Sequence, residues 1–204
     1  FCSMVDAEVG RVLQGLESRK MADDTLVIYT SDNGPVWYDA DVQRSGHDSA
    51  GGLRGMKADA WEAGHRMPFL VRWPDMVKAG SVTHHLVCFT DLLATFAELI
   101  NGKLTGKGAL DSESFLPVLT DSSARHHPRG PIVMRAGSGA MMIRDQEWKL
   151  INQLGSGGFS NPKRVKPGPD DPRGQLYNLS VDPSEKSNLW KSHPELVRKL
   201  TARM

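Results

Sequence analysis

Asp32 and Asn33 stand side by side in Ser31-Asp32-Asn33-Gly34-Pro35, directly after the apolar run Leu26-Val27-Ile28-Tyr29-Thr30. A carboxylate next to an amide oxygen is half of a site for a hard divalent cation such as Ca²⁺ or Mg²⁺. Open α/β sheets collect their ligands just beyond the carboxyl ends of the strands, which is where this pair falls. The same Asp-Asn-Gly is also an ordinary turn, with Asx side chains bonding nearby backbone. The tripeptide alone leaves both readings open.

Farther along come His47-Asp48-Ser49-Ala50-Gly51-Gly52-Leu53-Arg54-Gly55-Met56-Lys57 and then Trp61-Glu62-Ala63-Gly64-His65-Arg66-Met67-Pro68. The Lys57 ammonium is a compact charge with three donors, suited to a tetrahedral oxyanion. Taken alone, it could equally be a solvated loop lysine. His47 has two readings, one facing a substrate pocket and one on a surface loop. Glu62 and Arg66, one helical turn apart, read as a structural pair.

Taken together, these blocks resemble the type I, formylglycine-dependent sulfatases of the alkaline-phosphatase-like superfamily. The resemblance rests on SDNGP, then G-x-L-R-G-x-K, then W-E-x-G-x-R-x-P and a strand ending in Trp73-Pro74. It implies that Asp32 and Asn33 are ligands to the catalytic divalent cation, normally Ca²⁺. It further implies that Lys57 contacts the sulfate group and the leaving oxygen, and that His47 is a candidate for binding substrate. Gly51, Gly52 and Gly55 are expected to let the backbone pass close to metal or ester. Ala63 departs from the family, which commonly has a second glycine there. The nucleophile of such enzymes is a formylglycine made within C/S-x-P-x-R. Ser160-Asn161-Pro162-Lys163-Arg164 fits that pattern but follows the Asp32-Asn33 block and lies among Gly and Pro residues that cannot continue as a helix. It is therefore rejected as the nucleophile, and the formylglycine is expected upstream of this chain.

The elements that must position these residues follow from periodicity. Val5, Val9, Val12, Leu13 and Leu16 mark an amphipathic helix over 3–20. The run at 26–30 has no polar alternation and reads as a strand covered on both faces of a parallel sheet. Residues 69–73 form another apolar strand. Residues 82–89 read as a short strand or extended segment. The stretch 90–100 reads as a helix with Thr90 as N-cap, Asn101-Gly102 as its stop and an apolar face in the core. Cys88 is expected to be a small buried hydrophobe. Residues 114–119 form a short docking segment, and adjacent His126 and His127 are expected to be exposed. Strand candidates at 132–135, 140–144, 148–151 and 175–179 suggest a small antiparallel sheet. A final helix over 193–203 has Pro194 in its first turn.

The expected fold is therefore α/β. Residues 1–103 would be the C-terminal part of a large alkaline-phosphatase-like domain, with a mixed, mainly parallel sheet and flanking helices. Residues 104–204 would be a smaller subdomain of antiparallel strands and a terminal helix. The composition, 39% hydrophobic and 24% charged, is ordinary for a globular protein. A net charge of +1 gives no electrostatic case for nucleic acid. No apolar run approaches the ~20 residues of a membrane span.

Because the chain starts at Phe1 rather than Met, a processed product or fragment is expected. Alone it would not hydrolyse sulfate esters. The expected partner is a sulfated small molecule or sulfated carbohydrate, and family analogy places the enzyme in the periplasm or outside the cell. Two alternatives stay open. One is a phosphatase or phosphonate hydrolase of the same superfamily, and the other is a non-catalytic, metal-stabilised binding module.

Overall fold

The computed structural model describes residues 1–105, 109–120 and 129–204. The expectation for His126 and His127 lies outside them. The chain divides into two compact units, residues 1–30 with 68–128 and residues 31–67 with 129–204.

The first unit begins with α1 (Cys2–Ser18). Glu8 and Arg11 pair on its surface at 2.8 Å. Its end is turned by Lys20 at φ 56, with the Met21 amide donating back to the Leu16 carbonyl at 2.9 Å. Strand β1 (Val27–Thr30) pairs with β2 (Phe69–Arg72) in antiparallel register, Val27 opposite Arg72 and Thr30 opposite Phe69. This corrects the expectation of a doubly covered parallel strand. No residue of β1 is fully buried, and Tyr29 and Leu70 are 43% and 57% exposed. A short apolar run reads the same whether or not both its faces are covered, so pattern alone could not decide.

Helix α3 (Asp91–Leu99) starts after Thr90 as expected, but Thr90 makes no side-chain cap. Asp91 ties that end instead. Its carboxylate accepts the Cys88 amide at 2.8 Å and the Glu113 amide at 3.0 Å. Thr95 accepts the Phe115 amide at 3.1 Å, and Phe115 meets Phe69 edge-on at 5.7 Å. Phe115 immediately precedes α4 (Leu116–Thr120) and is buried, as a docking segment requires. The apolar face of α3 is not core. Leu93, Phe96 and Ile100 are exposed, and only Asp91 and Thr95 are buried. Cys88 is a half-buried free thiol, and residues 82–88 form no strand.

The second unit opens with α2 (Asp39–Ser45), a helix in the stretch between the first two motif blocks. Asp41 explains it, reaching back to the Tyr38 amide at 3.3 Å and pairing with Arg44 at 2.8 Å. Gly46 closes the helix in the left-handed region at φ 68. A single 3₁₀ turn follows at Glu62–Gly64. The antiparallel sheet expected from the sequence is present as β3 (Ile132–Arg135), β4 (Met141–Asp145), β5 (Trp148–Ile151) and β6 (Gln175–Asn178), in that spatial order.

Strand alternation gives this sheet two unlike faces. Ile143, Leu150 and Leu176 stand opposite one another and are fully buried beneath Val197 and Leu200 of α5 (Pro194–Thr201). The other face carries Met142, Arg144, Lys149, Ile151, Gln175 and Tyr177, and Ala60 and Trp61 pack on it. That second face supports the motif segments.

Candidate functional site

The Asp32–Pro35 loop is joined to the Lys57 and Trp61–Gly64 segments by backbone bonds. The Lys57 amide donates to the Pro35 carbonyl at 2.8 Å, and the Gly34 amide donates to the Gly64 carbonyl at 3.2 Å. The approach is tight enough to exclude any side chain at position 34. A Cβ there would lie 1.6 Å from the Ala63 carbonyl oxygen. Ala63 itself is buried without difficulty, its amide donating to the Arg54 carbonyl at 2.9 Å, so the missing family glycine leaves the turn intact.

Asp32 is exposed and Asn33 half-buried. The Asn33 amide nitrogen donates to the Gly34 carbonyl at 2.9 Å, which orients Oδ1 as the side chain's acceptor. The Asp32 carboxylate and this amide oxygen are hard oxygen donors that fit Ca²⁺ or Mg²⁺. They supply only part of the six to eight ligands Ca²⁺ takes. No group of three or more His, Cys, Asp or Glu side chains gathers as a metal cage among the described residues.

Lys57 is half-buried, with no ion-pair partner among the described residues. His47 is exposed. Its carbonyl accepts the Trp37 indole N–H at 2.7 Å, and its ring meets Trp37 edge-on at 5.9 Å, so the two residues clasp the ends of the α2 loop. Gly51, Gly52 and Gly55 all take positive φ. A Cβ on Gly51 or Gly52 would meet no atom within 4 Å, so turn conformation explains these two. Gly55 is the close-approach case, where a Cβ would lie 2.8 Å from Asp59 Oδ2.

Beneath these loops lies a charged cluster that sequence reasoning missed. Lys149, fully buried, reaches Glu62 Oε1 at 3.1 Å and Glu185 Oε1 at 2.9 Å. Glu185 Oε2 accepts the Glu62 amide at 2.6 Å, fastening the 3₁₀ turn. Arg66 pairs with Glu62 at 3.6 Å as expected, but it is one of several partners, with Arg144 at 3.4 Å and His65 at 3.3 Å. Burial alone would raise the Glu62 carboxyl. Lys149, His65 and Arg144 outweigh it and hold Glu62 well below the usual carboxylate range. Glu185 has only Lys149 and the Glu62 amide against its burial, which pushes it up. Burial, and then Lys149, push the His65 imidazole down.

Arg54 stacks 3.7 Å over the Trp61 ring and donates to the Glu185 carbonyl at 2.8 Å. Trp61 donates to Gln175 at 2.9 Å. Burial pushes the Tyr177 phenol up to about 12, so it is a neutral hydrogen-bonding group in this network. The signals for Lys149 and Glu185 were weak, namely a lysine at an inward strand position and a glutamate in a turn after Asp182-Pro183.

Ser160, the residue of the misplaced C/S-x-P-x-R pattern, lies on a loop against the Lys57 turn. Its amide donates to Asp59 Oδ1 at 3.0 Å, and its carbonyl accepts the Ser156 hydroxyl at 2.5 Å.

The sequence model of the Sulfatase family matches residues 2–102. The chain is 36% identical to an N-acetylgalactosamine-6-O-sulfatase of Bacteroides thetaiotaomicron over 97% of its own length and 39% of that protein's. It is 30% identical to an ulvan-active sulfatase of Formosa agariphila over 86% of its length and 35% of that protein's. A solved sulfatase structure linked to glycosaminoglycan metabolism in Bacteroides thetaiotaomicron superposes with a TM-score of 0.83 at 36% identity. That match covers 98% of this chain and 42% of the other. The chain thus spans about two fifths of the length of these relatives. No helix among the described residues is long and apolar enough to cross a membrane. Shared motif blocks, shared fold and an alignment over nearly all of this chain agree: it belongs to the sulfatase family, with its alkaline-phosphatase-like fold.

Proposed function

We propose that this chain supplies part of a site that hydrolyses sulfate esters, with Asp32 and Asn33 ligating a divalent cation and Lys57 holding the sulfate. The observation that carries this reading is the Lys57 amide donating to the Pro35 carbonyl at 2.8 Å, which fastens the lysine's turn to the loop bearing Asp32 and Asn33. When bound, the cation supplies charge stabilisation at the sulfate oxygens, and a formylglycine elsewhere in the polypeptide supplies the nucleophile.

Within this chain, Lys57 donates to a sulfate oxygen and to the leaving oxygen, countering the charge that grows as the S–O bond breaks. Its place in a turn fixed by backbone bonds means little reorganisation is needed at that moment. His47, at the closed end of the α2 loop, contacts the rest of the substrate. The substrate is a sulfated carbohydrate, in keeping with relatives that act on sulfated N-acetylgalactosamine and on ulvan. The enzyme works in the periplasm or outside the cell.

The 204-residue chain alone binds the cation but turns over no sulfate ester. Purified chain is to be melted with and without CaCl₂ and assayed on N-acetylgalactosamine 6-sulfate. Ca²⁺ stabilises the wild type and not Asp32→Ala, with no sulfate released by either. A Ca²⁺ response that survives Asp32→Ala contradicts the ligand assignment, and sulfate release contradicts the claim of inactivity.

A further inference from the structure

We propose that Asp59 is a positioning residue for Lys57, holding the lysine's turn in a strained conformation and tying it to a second loop of the same unit. This rests on the reading of Lys57 as the sulfate-binding lysine. Asp59 is 2% exposed and makes no ion pair among the described residues. Both of its oxygens are spent on backbone amides. Oδ2 accepts the Met56 amide at 2.9 Å, and Oδ1 accepts the Ser160 amide at 3.0 Å. The Asp59 amide donates to the Met56 carbonyl at 3.0 Å. One carboxylate therefore closes the turn Met56-Lys57-Ala58-Asp59 on itself and fastens it to the loop at 155–160.

The turn needs such a fastening. Ala58, immediately after Lys57, sits at φ 71, a region that alanine rarely enters. Such strain persists only where the surroundings over-determine it. Here they do, because the Ala58 carbonyl accepts the Gly137 amide at 2.8 Å and the Ala60 amide donates to the Ser156 carbonyl at 2.6 Å. Gly158 lies so close that a Cβ on it would come within 2.3 Å of the Ala58 carbonyl. Lys57 is the one residue of this turn whose side chain has a polar end that the turn does not use. The loop that carries the misleading Ser160 pattern is thus a buttress for the lysine rather than a source of the nucleophile.

Two readouts on the 204-residue chain test this: amide hydrogen exchange, and titration with sodium sulfate followed by ¹H–¹⁵N spectra. In Asp59→Asn, exchange at Met56 and Ser160 rises at least about tenfold. Amides of Ile143, Leu150 and Leu176 stay as in the wild type. Sulfate binding weakens about tenfold in Asp59→Asn and more in Lys57→Ala, while adding Asp59→Asn to Lys57→Ala costs less than about twofold further. Gly55→Ala, whose Cβ would press on Asp59 Oδ2, weakens sulfate binding in the same direction without altering Asp59 itself.

Wild-type exchange at Met56 in Asp59→Asn overturns the proposal. So does a loss of affinity that is equally large on the Lys57→Ala background. Undiminished sulfate binding in Lys57→Ala strikes the reading of Lys57 itself, and the proposal falls with it.

Discussion

The two units of this chain treat their apolar residues differently. In the unit made of 31–67 and 129–204, the sheet residues Ile143, Leu150 and Leu176 are all 0% exposed, and α5 covers them. In the unit made of 1–30 and 68–128, α1 buries no residue over its whole length, and Val12, Leu70, Phe96 and Ile100 are exposed within this chain, which spans about two fifths of its relatives' length. Both sets of elements read in the sequence as carrying apolar residues for a core. The difference teaches that a hydrophobic stripe tells which face wants covering and says nothing of what covers it. It also says where the candidate site gets its rigidity. Asp32, Asn33, Lys57 and Asp59 all belong to the unit with the closed core.

The largest way to break the contrast is Lys149→Met. It leaves Glu62 and Glu185 buried without their shared cation, and loss of one partner of a buried pair costs about 3–5 kcal/mol. Urea unfolding followed by tryptophan fluorescence should show the transition of Trp61 and Trp148 moving to much lower denaturant. An unchanged midpoint would mean the cluster does not secure this unit.

Gly34→Ala comes next. The added methyl would collide with the Ala63 carbonyl, and overpacking of this kind costs about 1–3 kcal/mol. The Asp32-Asn33 loop must shift, so the Ca²⁺-dependent rise in melting temperature should vanish along with the lost stability. Retention of that rise would uncouple the loop from the Trp61–Gly64 segment.

A smaller effect is expected from pH. The His65 imidazole is held below its ordinary value of about 6.5, so on acidification the unfolded chain takes the proton first. Stability present above that value is therefore lost as pH falls below it. Glu62 is held down, so its contribution is lost only below about 4.5, where the unfolded carboxyl protonates. Melting temperatures between pH 7 and 5 should fall for the wild type and flatten in His65→Asn. Parallel slopes for the two proteins would remove His65 from the account.

The smallest effect belongs to the open unit. Ile100→Ser, at a position 75% exposed, should change stability by no more than about 0.5 kcal/mol. A much larger loss in urea would show that this face is covered in solution.

Much of this architecture was legible. Spacing and intervening turn residues gave β3 to β6 within a residue or so, because turns punctuate the chain between these short strands. Pro194 marked the start of α5, and the motif blocks singled out Asp32, Asn33 and Lys57 as the residues proposed for the site. Helix α2 was missed, since seven residues are too short for a hydrophobic period, and the signal was instead Asp41 at its start and Gly46 at its end. The charged cluster was not legible for a different reason. Lys149 lies 87 residues from Glu62 in the chain, and nothing local distinguishes a buried lysine from a solvated one. Asp59 was passed over likewise, because its importance lies in two amides, one of them 101 residues away.

The most direct test of the central claim is the steady-state hydrolysis of N-acetylgalactosamine 6-sulfate by the natural gene product and its Lys57→Ala variant, with Ca²⁺-dependent melting as the control for folding. The account predicts that kcat/KM falls by about 10² or more, the usual cost of removing a group that stabilises developing charge, while the Ca²⁺ response is unchanged. A variant that hydrolyses the ester at the wild-type rate would contradict it.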